Sequence, residues 1–290
     1  MTNTSHTAPP AAAAGTLTLG GDLTVRRLGY GTMQLTGPAS YGPPRDHAQA
    51  LRVLRRAPEL GIDFIDTADA YGPGIAEDLV AEALFPYPPG LVIATKGGIT
   101  RPSQGQFVPD GRPAYLRSAL EASLRRLRLE RVDLYQLHRV DPRVPLAESV
   151  GALAELRAEG LIRHIGLSQV GVRQLEEARR AAPIVSVQNR YNLIDRDGED
   201  VLAYCGREGI AFIPWFPLAT GELARPGGLL GTVAARHHAS PPQVALAWLL
   251  ARSPVMLPIP GTSSAEHLEQ NVAGAALTLK DDELRALTGA

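Results

Sequence analysis

The chain has 290 residues, 44% of them hydrophobic and 20% charged, with a formal net charge of −1. This composition suffices for a large core and excludes global disorder, and the balanced charge argues against nucleic acid or another polyanion as a partner. The single cysteine, Cys205, excludes an intrachain disulfide and suits a reducing compartment, so the cytoplasm is expected.

Residues 1–15 lack the basic and strongly apolar regions of a signal peptide and are expected to be a flexible tail. LTLGGDLTV (Leu17–Val25) alternates around Gly20-Gly21, which predicts a hairpin. The chain then repeats a short apolar run, a loop and an amphipathic helix. The runs lie near Leu28–Met33, Ile62–Asp66, Leu91–Thr95, Val132–His138, Ile162–Ser168, Ile184–Gln188, Ile210–Trp215 and Val255–Pro258. Helical periodicity is clearest in His47–Leu60, Ala114–Leu127, Leu146–Glu159, Val172–Arg180 and Pro242–Ala251, and a further helical run spans Ile75–Leu84. No 18-residue apolar run interrupts the pattern, so no membrane span is expected. Alternating β and α elements imply a parallel sheet. Eight units predict a closed (β/α)₈ TIM barrel, one domain over residues 16–290, with the hairpin closing its bottom. An open doubly wound sheet is the competitor, but GYGTMQ (Gly29–Gln34) has Gln34 where a dinucleotide fingerprint needs its third glycine, and no helix follows at once.

Barrel enzymes place their chemistry at the C-terminal strand ends. Those ends carry Asp66 followed by Tyr71, then Lys96, His138, Ser168-Gln169, Gln188-Asn189 and Trp215. A phenol with a reference pKa near ~10 is a poor acid, and a neighbouring ammonium lowers that value. Lys96 supplies such a charge, and Asp66 holds it by a charge-assisted hydrogen bond. The chain has 27 arginines and only two lysines, Lys96 and Lys280, so an interior lysine marks a place where a guanidinium will not serve. With His138 positioning an oxygen, the four would polarise a carbonyl and protonate the alkoxide left by hydride attack. Singly, each has an ordinary reading as a loop cap, a rim aromatic, half of an ion pair or a core histidine; together, at successive strand ends, they read as one site.

The motifs GYGTMQL, FIDTADAYG, VIATKGG, VDLYQLHR, IRHIGLSQV, VQNRYN, WFPL and IPGTSSAEHLEQN resemble the aldo-keto reductase family over nearly the whole chain. The resemblance implies a (β/α)₈ barrel that reduces small aldehydes and ketones with NADP(H), NAD(H) being the competing cofactor. Its catalytic tetrad falls on Asp66, Tyr71, Lys96 and His138. Its carboxamide-binding residues fall on Ser168, Gln169 and Gln188, with Gln169 in place of the usual asparagine, and Trp215 occupies the position of the ring that stacks on the nicotinamide. Phe216 replaces a frequent hydroxyl residue. Gly31, Thr32, Pro217 and Leu218 are implied along the cofactor by the first and seventh motifs. Gly261, Thr262, Ser263, Ser264, His267, Gln270 and Asn271 are implied around the 2′-phosphate, where hydroxyls and amides at a helix start suit an anion. The lysine and arginine common at the positions of Gly261 and His267 are absent, and Ser263 or Ser264 can equally be a helix cap. A narrower likeness, to a bacterial branch associated with pyridoxal reduction, rests on LGYGTMQLTGPASYGPPRD, WFPL and IPGTSSAEHLEQN.

Substrate choice resides in loops, and Thr100–Pro113 is expected to cover the mouth, with Tyr41 and Phe107 as candidates to line it. His237-His238 offer no metal site by spacing, GLSQV is not a nucleophile elbow, and the arginines of SALEASLRRLRLERVD read as a solvated helix face. The rival function is a cofactor-holding barrel that senses redox state with little turnover. A core of this size needs no partner, so a monomer is expected.

Overall fold

Gly20 and Gly21, with φ of 59° and 84°, make the tight turn between β1 (Thr16–Leu19) and β2 (Leu23–Arg26), which pair antiparallel with Leu17 opposite Val25. A Cβ on Gly20 would lie 2.2 Å from the His164 ring, so the close approach as well as the turn demands glycine there. Residues 8–218 and 228–289 are described in this computed structural model. Among them, Pro10–Ala14 form a 3₁₀ turn with Ala11 and Ala14 buried, and the Ala11 amide donates to the Leu60 carbonyl at 3.0 Å. The flexible tail expected over residues 1–15 is therefore corrected for this packed part; residues 1–7 lie outside the described residues.

The main sheet is parallel. It contains β3 (Tyr30–Gly31), β4 (Phe64–Asp66), β5 (Val92–Gly97), β8 (Val132–Leu137), β9 (Ile162–Ser168), β10 (Ile184–Arg190) and β11 (Ala211–Trp215), each paired to the next. The eighth run, expected as a strand over Val255–Pro258, makes only an isolated bridge, Phe212 to Met256. Proline is the reason: Pro258 and Pro260 have no amide hydrogen and cannot continue a ladder. The run still closes the ring. Phe212 N donates to Val255 O and Leu257 N to Phe212 O, both at 2.8 Å, while Gly29 N donates to Pro258 O at 2.9 Å. The seven strands and this bridging run make the (β/α)₈ barrel.

Inside the barrel, Phe64, Val92, Ala94, Leu134, Ala211, Ile213, Leu257 and Ile259 pack in one cluster with Leu19, Leu23 and Val25 of the hairpin. Outside lie α1 (His47–Glu59), α2 (Ile75–Leu84), α3 (Pro113–Leu127), α4 (Leu146–Ala158), α5 (Val172–Ala181), α6 (Glu199–Glu208), α7 (Gly228–Arg236), α8 (Pro241–Arg252), α9 (Ala265–Ala273) and α10 (Asp281–Gly289). Local signals start several of them. The Asp46 carboxylate accepts from Gln49 N at 2.8 Å at the head of α1, and Gln243 reaches back to Ser240 N at 2.8 Å at the head of α8. The expected loop after β5 contains a small antiparallel pair, β6 (Ile99–Thr100) and β7 (Val108–Pro109). No helix among the described residues is long and apolar enough to cross a membrane.

Arg126 corrects one expectation. It does not belong to a solvated face: its Nε donates at 2.7 Å to the fully buried Glu77, which also accepts from Thr95 Oγ1 at 2.5 Å. Beside this pair, Asp69 is buried with Oδ1 lacking a partner. Burial raises its pKa well above 3.8, and the Glu77 charge adds to the effect against Arg126, the Ala70 amide and Lys96. The folded state thus holds this proton more tightly than the unfolded chain, so stability falls as pH rises from 3.8 through the folded value. Asp69→Asn is expected to raise Tm at pH 7 by about 2–4 °C, the equivalent of ~1 kcal/mol in a large domain. The difference should vanish below pH 3.8, and a Tm lowered at pH 7 would contradict the reading.

Candidate active site

The pleat delivers the chemistry to the barrel mouth. Phe64 and Asp66, Ala94 and Lys96, and Leu134 and Gln136 are i, i+2 pairs whose first members pack the interior and whose second members lie one layer higher. Lys96 lies within β5, one layer inside the loop, and is fully buried. Its ammonium carries three donors and meets three acceptors: Asp66 Oδ1 at 2.6 Å, the Thr67 carbonyl at 2.9 Å and Tyr71 Oη at 3.4 Å. Burial alone would lower the lysine pKa, but the Asp66 charge and the Tyr71 phenol lift it above the ordinary value, so the cation persists.

Asp66 has a second set of partners that the sequence reading missed. Its Oδ2 accepts from Gln136 Nε2 at 3.1 Å and from Gln188 Nε2 at 2.8 Å. Gln136 was legible in principle, since in VDLYQLHR it stands two residues before His138 and so on the same face of the strand. With its nitrogen committed to Asp66, Gln188 has its carbonyl oxygen left for the cleft.

Tyr71 and His138 meet edge to face, with ring centroids 5.8 Å apart. The expectation that Lys96 lowers the Tyr71 pKa needs correction in its net sign. Burial raises it above 10, Lys96 opposes that, and Asp66 and Asp69 add to the rise. The phenol therefore keeps its proton at neutral pH, as a proton donor must. Burial likewise pushes His138 well below 6.5, helped by the charges of Lys96, Arg139 and Arg101, so the imidazole is neutral. Its Nδ1 is buried without a partner.

A cleft of about 950 Å³ opens above these groups, within the range of small-molecule sites. Asp66, Tyr71 and His138 line one part of it. Ser168, Gln188 and Trp215 line the next, and Gly31, Pro217, Leu218, Gly261, Thr262, Ser263, His267, Gln270 and Asn271 line the remainder. Four expected residues do not reach it. Lys96 lies behind Asp66 and Tyr71. Thr32 is fully buried, its amide bound to Asp66 O at 2.9 Å. Ser264 caps α9, accepting from His267 N at 3.3 Å, while Thr262 Oγ1 accepts from Ser264 N at 3.1 Å. Gln169 turns away, and its Oε1 accepts from Arg190 N and from Trp215 Nε1, both at 2.9 Å. Its effect is to fix the indole that lines the cleft. Gln169 has a φ of 57°, a conformation asparagine tolerates better than glutamine, which gives the usual residue a backbone reason.

The mouth loop behaves partly as expected. Phe107 and Ile99 line the cleft, but Tyr41 does not; its ring lies 5.4 Å from the Arg101 guanidinium. Arg101, unnoticed in the sequence, donates to the carbonyls of Ser40 (3.0 Å), Ala70 (2.8 Å) and Ala39 (3.0 Å) and stacks 3.7 Å from the Phe107 ring. It thereby ties the mouth loop to the backbone beside Tyr71. His237 Nε2 lies 2.8 Å from Glu283 Oε2, a contact between distant segments. No group of three or more metal-ligating side chains occurs among the described residues.

The arrangement suits a nicotinamide cofactor on its own geometry. The cleft runs from a buried phenol and a neutral imidazole, past a half-buried indole, to a hydroxyl-rich helix start. Backbone alone narrows it between Gly31 and Gly261, where a Cβ on Gly261 would lie 2.8 Å from Gly31 O.

Comparison with known proteins agrees. Residues 27–290 match the Aldo/keto reductase family. The chain is 49% identical over 278 residues to an uncharacterized oxidoreductase of Schizosaccharomyces pombe, covering 96% of this chain and 90% of that protein. It is 44% identical over 283 residues to the pyridoxine 4-dehydrogenase of Escherichia coli, covering 96% and 98%. An aldo-keto reductase from Klebsiella pneumoniae solved in complex with NADPH superposes with a TM-score of 0.78 at 30% identity, covering 94% of this chain and 93% of that one. By sequence, by fold and by the groups at its barrel mouth, this chain is an oxidoreductase and belongs to the aldo/keto reductase family.

Proposed function

We propose that this chain is an NADPH-dependent carbonyl reductase that converts an aldehyde or ketone to the alcohol, with Tyr71 as the general acid. The observation that carries this reading is the Lys96 ammonium, bound at once to Asp66 and to the Tyr71 phenol directly beneath the cleft. When bound, NADPH supplies the hydride. Tyr71 holds its proton until an alkoxide forms, then gives it to that oxygen. Lys96 stabilises the phenolate left behind, and Asp66, fixed by Gln136 and Gln188, keeps Lys96 charged and in place. Neutral His138 orients the carbonyl oxygen.

Trp215 offers the ring face for the nicotinamide, and Ser168 with the Gln188 oxygen suits its carboxamide; Gln169 serves by holding Trp215. Gly31, Thr32, Pro217 and Leu218 shape the passage. Gly261, Thr262, Ser263, Ser264, His267, Gln270 and Asn271 form the 2′-phosphate end, where Gly261 and His267 stand in place of a lysine and an arginine and leave NAD(H) as a competitor. The NADPH complex of the Klebsiella relative favours NADP(H). The pyridoxine 4-dehydrogenase of E. coli favours a pyridoxal-like substrate, reduced in one direction and formed in the other. We also infer a monomeric cytoplasmic protein whose single domain, residues 16–290, is closed at the base of the barrel by the hairpin. The hairpin's shared core with the strands supports this, as does Asp22 Oδ1, 2.6 Å from His164 Nε2 near the start of β9.

The test is the initial rate of NADPH oxidation, followed by absorbance, with pyridoxal and with 4-nitrobenzaldehyde, and NADH in parallel. Turnover of either aldehyde is expected, with pyridoxal preferred. Tight NADPH binding without turnover of either would favour the redox-sensing barrel instead.

A further inference from the structure

Among the described residues, the charges of the cleft do not balance. Asp66 is the one carboxylate they place on its wall, and Lys96 neutralises it from behind. Arg139 is the one arginine or lysine they place there. It is half-buried, yet makes no hydrogen bond, ion pair or ring contact; every other described arginine without such a partner is exposed. Removing a guanidinium from water without compensation is costly, and burial already pulls its pKa down. Arg101, on the mouth loop, has its terminal nitrogens committed to three carbonyls and its plane to Phe107, which leaves Arg139 as the cation open to the cleft.

Position decides which ligand the free guanidinium serves. Arg139 directly follows His138 at the end of the fourth strand of the ring, β8. The hydroxyl-rich turn suited to phosphate follows the eighth, bridging run, on the opposite side of the barrel. Arg139 lies near enough to Tyr71 and His138 for their charges to interact, and the apolar Ile99 and Phe107 line the same cleft. We propose that Arg139 binds an anionic oxygen on the carbonyl substrate, and that the substrates of this chain are aldehydes or ketones carrying an oxyanion close to the carbonyl on an apolar or aromatic body. A phenolate beside an aldehyde and a carboxylate on the same ring share this chemistry. The inference rests on the carbonyl reductase reading and adds the charge of the substrate to it.

Two substrate pairs differing only in charge test it: 5-nitrosalicylaldehyde, a phenolate at neutral pH, against its 2-methoxy ether, and 3-carboxybenzaldehyde against its methyl ester. A charge-assisted bond corresponds to roughly 10- to 100-fold in kcat/KM. Arg139→Met should lose that much more on the anionic member of at least one pair than on its neutral partner, chiefly through KM, with Arg139→Lys recovering part. The pair with the larger loss identifies the oxyanion as phenolate or carboxylate. Equal losses within both pairs would overturn the proposal. So would a raised NADPH dissociation constant in Arg139→Met accompanied by equal losses, which would make Arg139 a cofactor-phosphate contact. If the wild type reduces no aldehyde, the carbonyl reductase reading fails, and calorimetric titration still decides the inference. Benzoate should bind the wild type at least tenfold more tightly than it binds Arg139→Met, with benzamide showing no such difference; identical benzoate affinities would overturn it.

Discussion

Tyr71→Phe is expected to lower kcat for aldehyde reduction by about 10²–10⁴, the usual contribution of a positioned general acid, while the NADPH dissociation constant stays within about twofold. The phenol touches the reacting end of the cleft and not its hydroxyl-rich far end, so its removal spares the cofactor's own contacts. It also leaves the Lys96–Asp66 pair intact, since that bond, at 2.6 Å, does not pass through Tyr71. The pH profile gives a second readout. Burial holds Tyr71 protonated to above pH 10, and His138 stays neutral until well below pH 6.5. The acid is lost only as pH rises past the first value, and the imidazole gains a proton only as pH falls below the second. Reduction by the wild type should therefore be level between pH 6.5 and 10. A fall in rate inside that window, or a Tyr71→Phe variant that loses cofactor affinity along with turnover, would remove Tyr71 from the proton-donor role.

The sequence made the barrel and its tetrad legible because both rest on periodic or strand-end signals. An apolar run ending on Asp66, Lys96 or His138 identifies a strand and a mouth residue together. What it hid depends on contacts between distant segments. Pro258 and Pro260 turned a plausible eighth strand into a bridging run, since apolar content does not report the missing amides. The net sign of the Tyr71 pKa depended on burial, which is not visible in the order of residues, whereas the lysine that opposes it was. Arg126 read as a surface charge until the fold brought Glu77 beneath it. Gln169 matched an amide-binding position by type, but its backbone conformation turns that amide onto Trp215. Asp69, Arg101 and Arg139 lie within recognised motifs or loops, yet only the assembled mouth distinguishes an arginine bound to three carbonyls from one with no partner.

Lys96→Met should be the most destabilising single change at the site. It leaves Asp66, 2% exposed, in the interior without its cation, and breaking a buried pair from one side costs roughly 3–5 kcal/mol. Gln136 and Gln188 still donate to the carboxylate, but neutral donors do not replace a full charge at 2.6 Å. The double variant Asp66→Asn with Lys96→Met removes the stranded charge, and its denaturant midpoint at pH 7 should recover most of the loss. Coincident midpoints for the single and double variants would assign the cost to the altered packing of the lysine stem instead of to the carboxylate. Both variants should remain nearly inactive toward aldehydes, because neither supplies an ammonium beneath Tyr71. Lys96→Arg should rescue neither property, despite keeping the charge. Three donors on one nitrogen reach Asp66, the Thr67 carbonyl and Tyr71 from a single point, and a planar guanidinium fork, longer and directed along fixed lines, has no room to do the same at a side chain with no exposed surface. In a chain that otherwise uses arginine almost everywhere, that geometric demand is a sufficient reason for lysine at position 96.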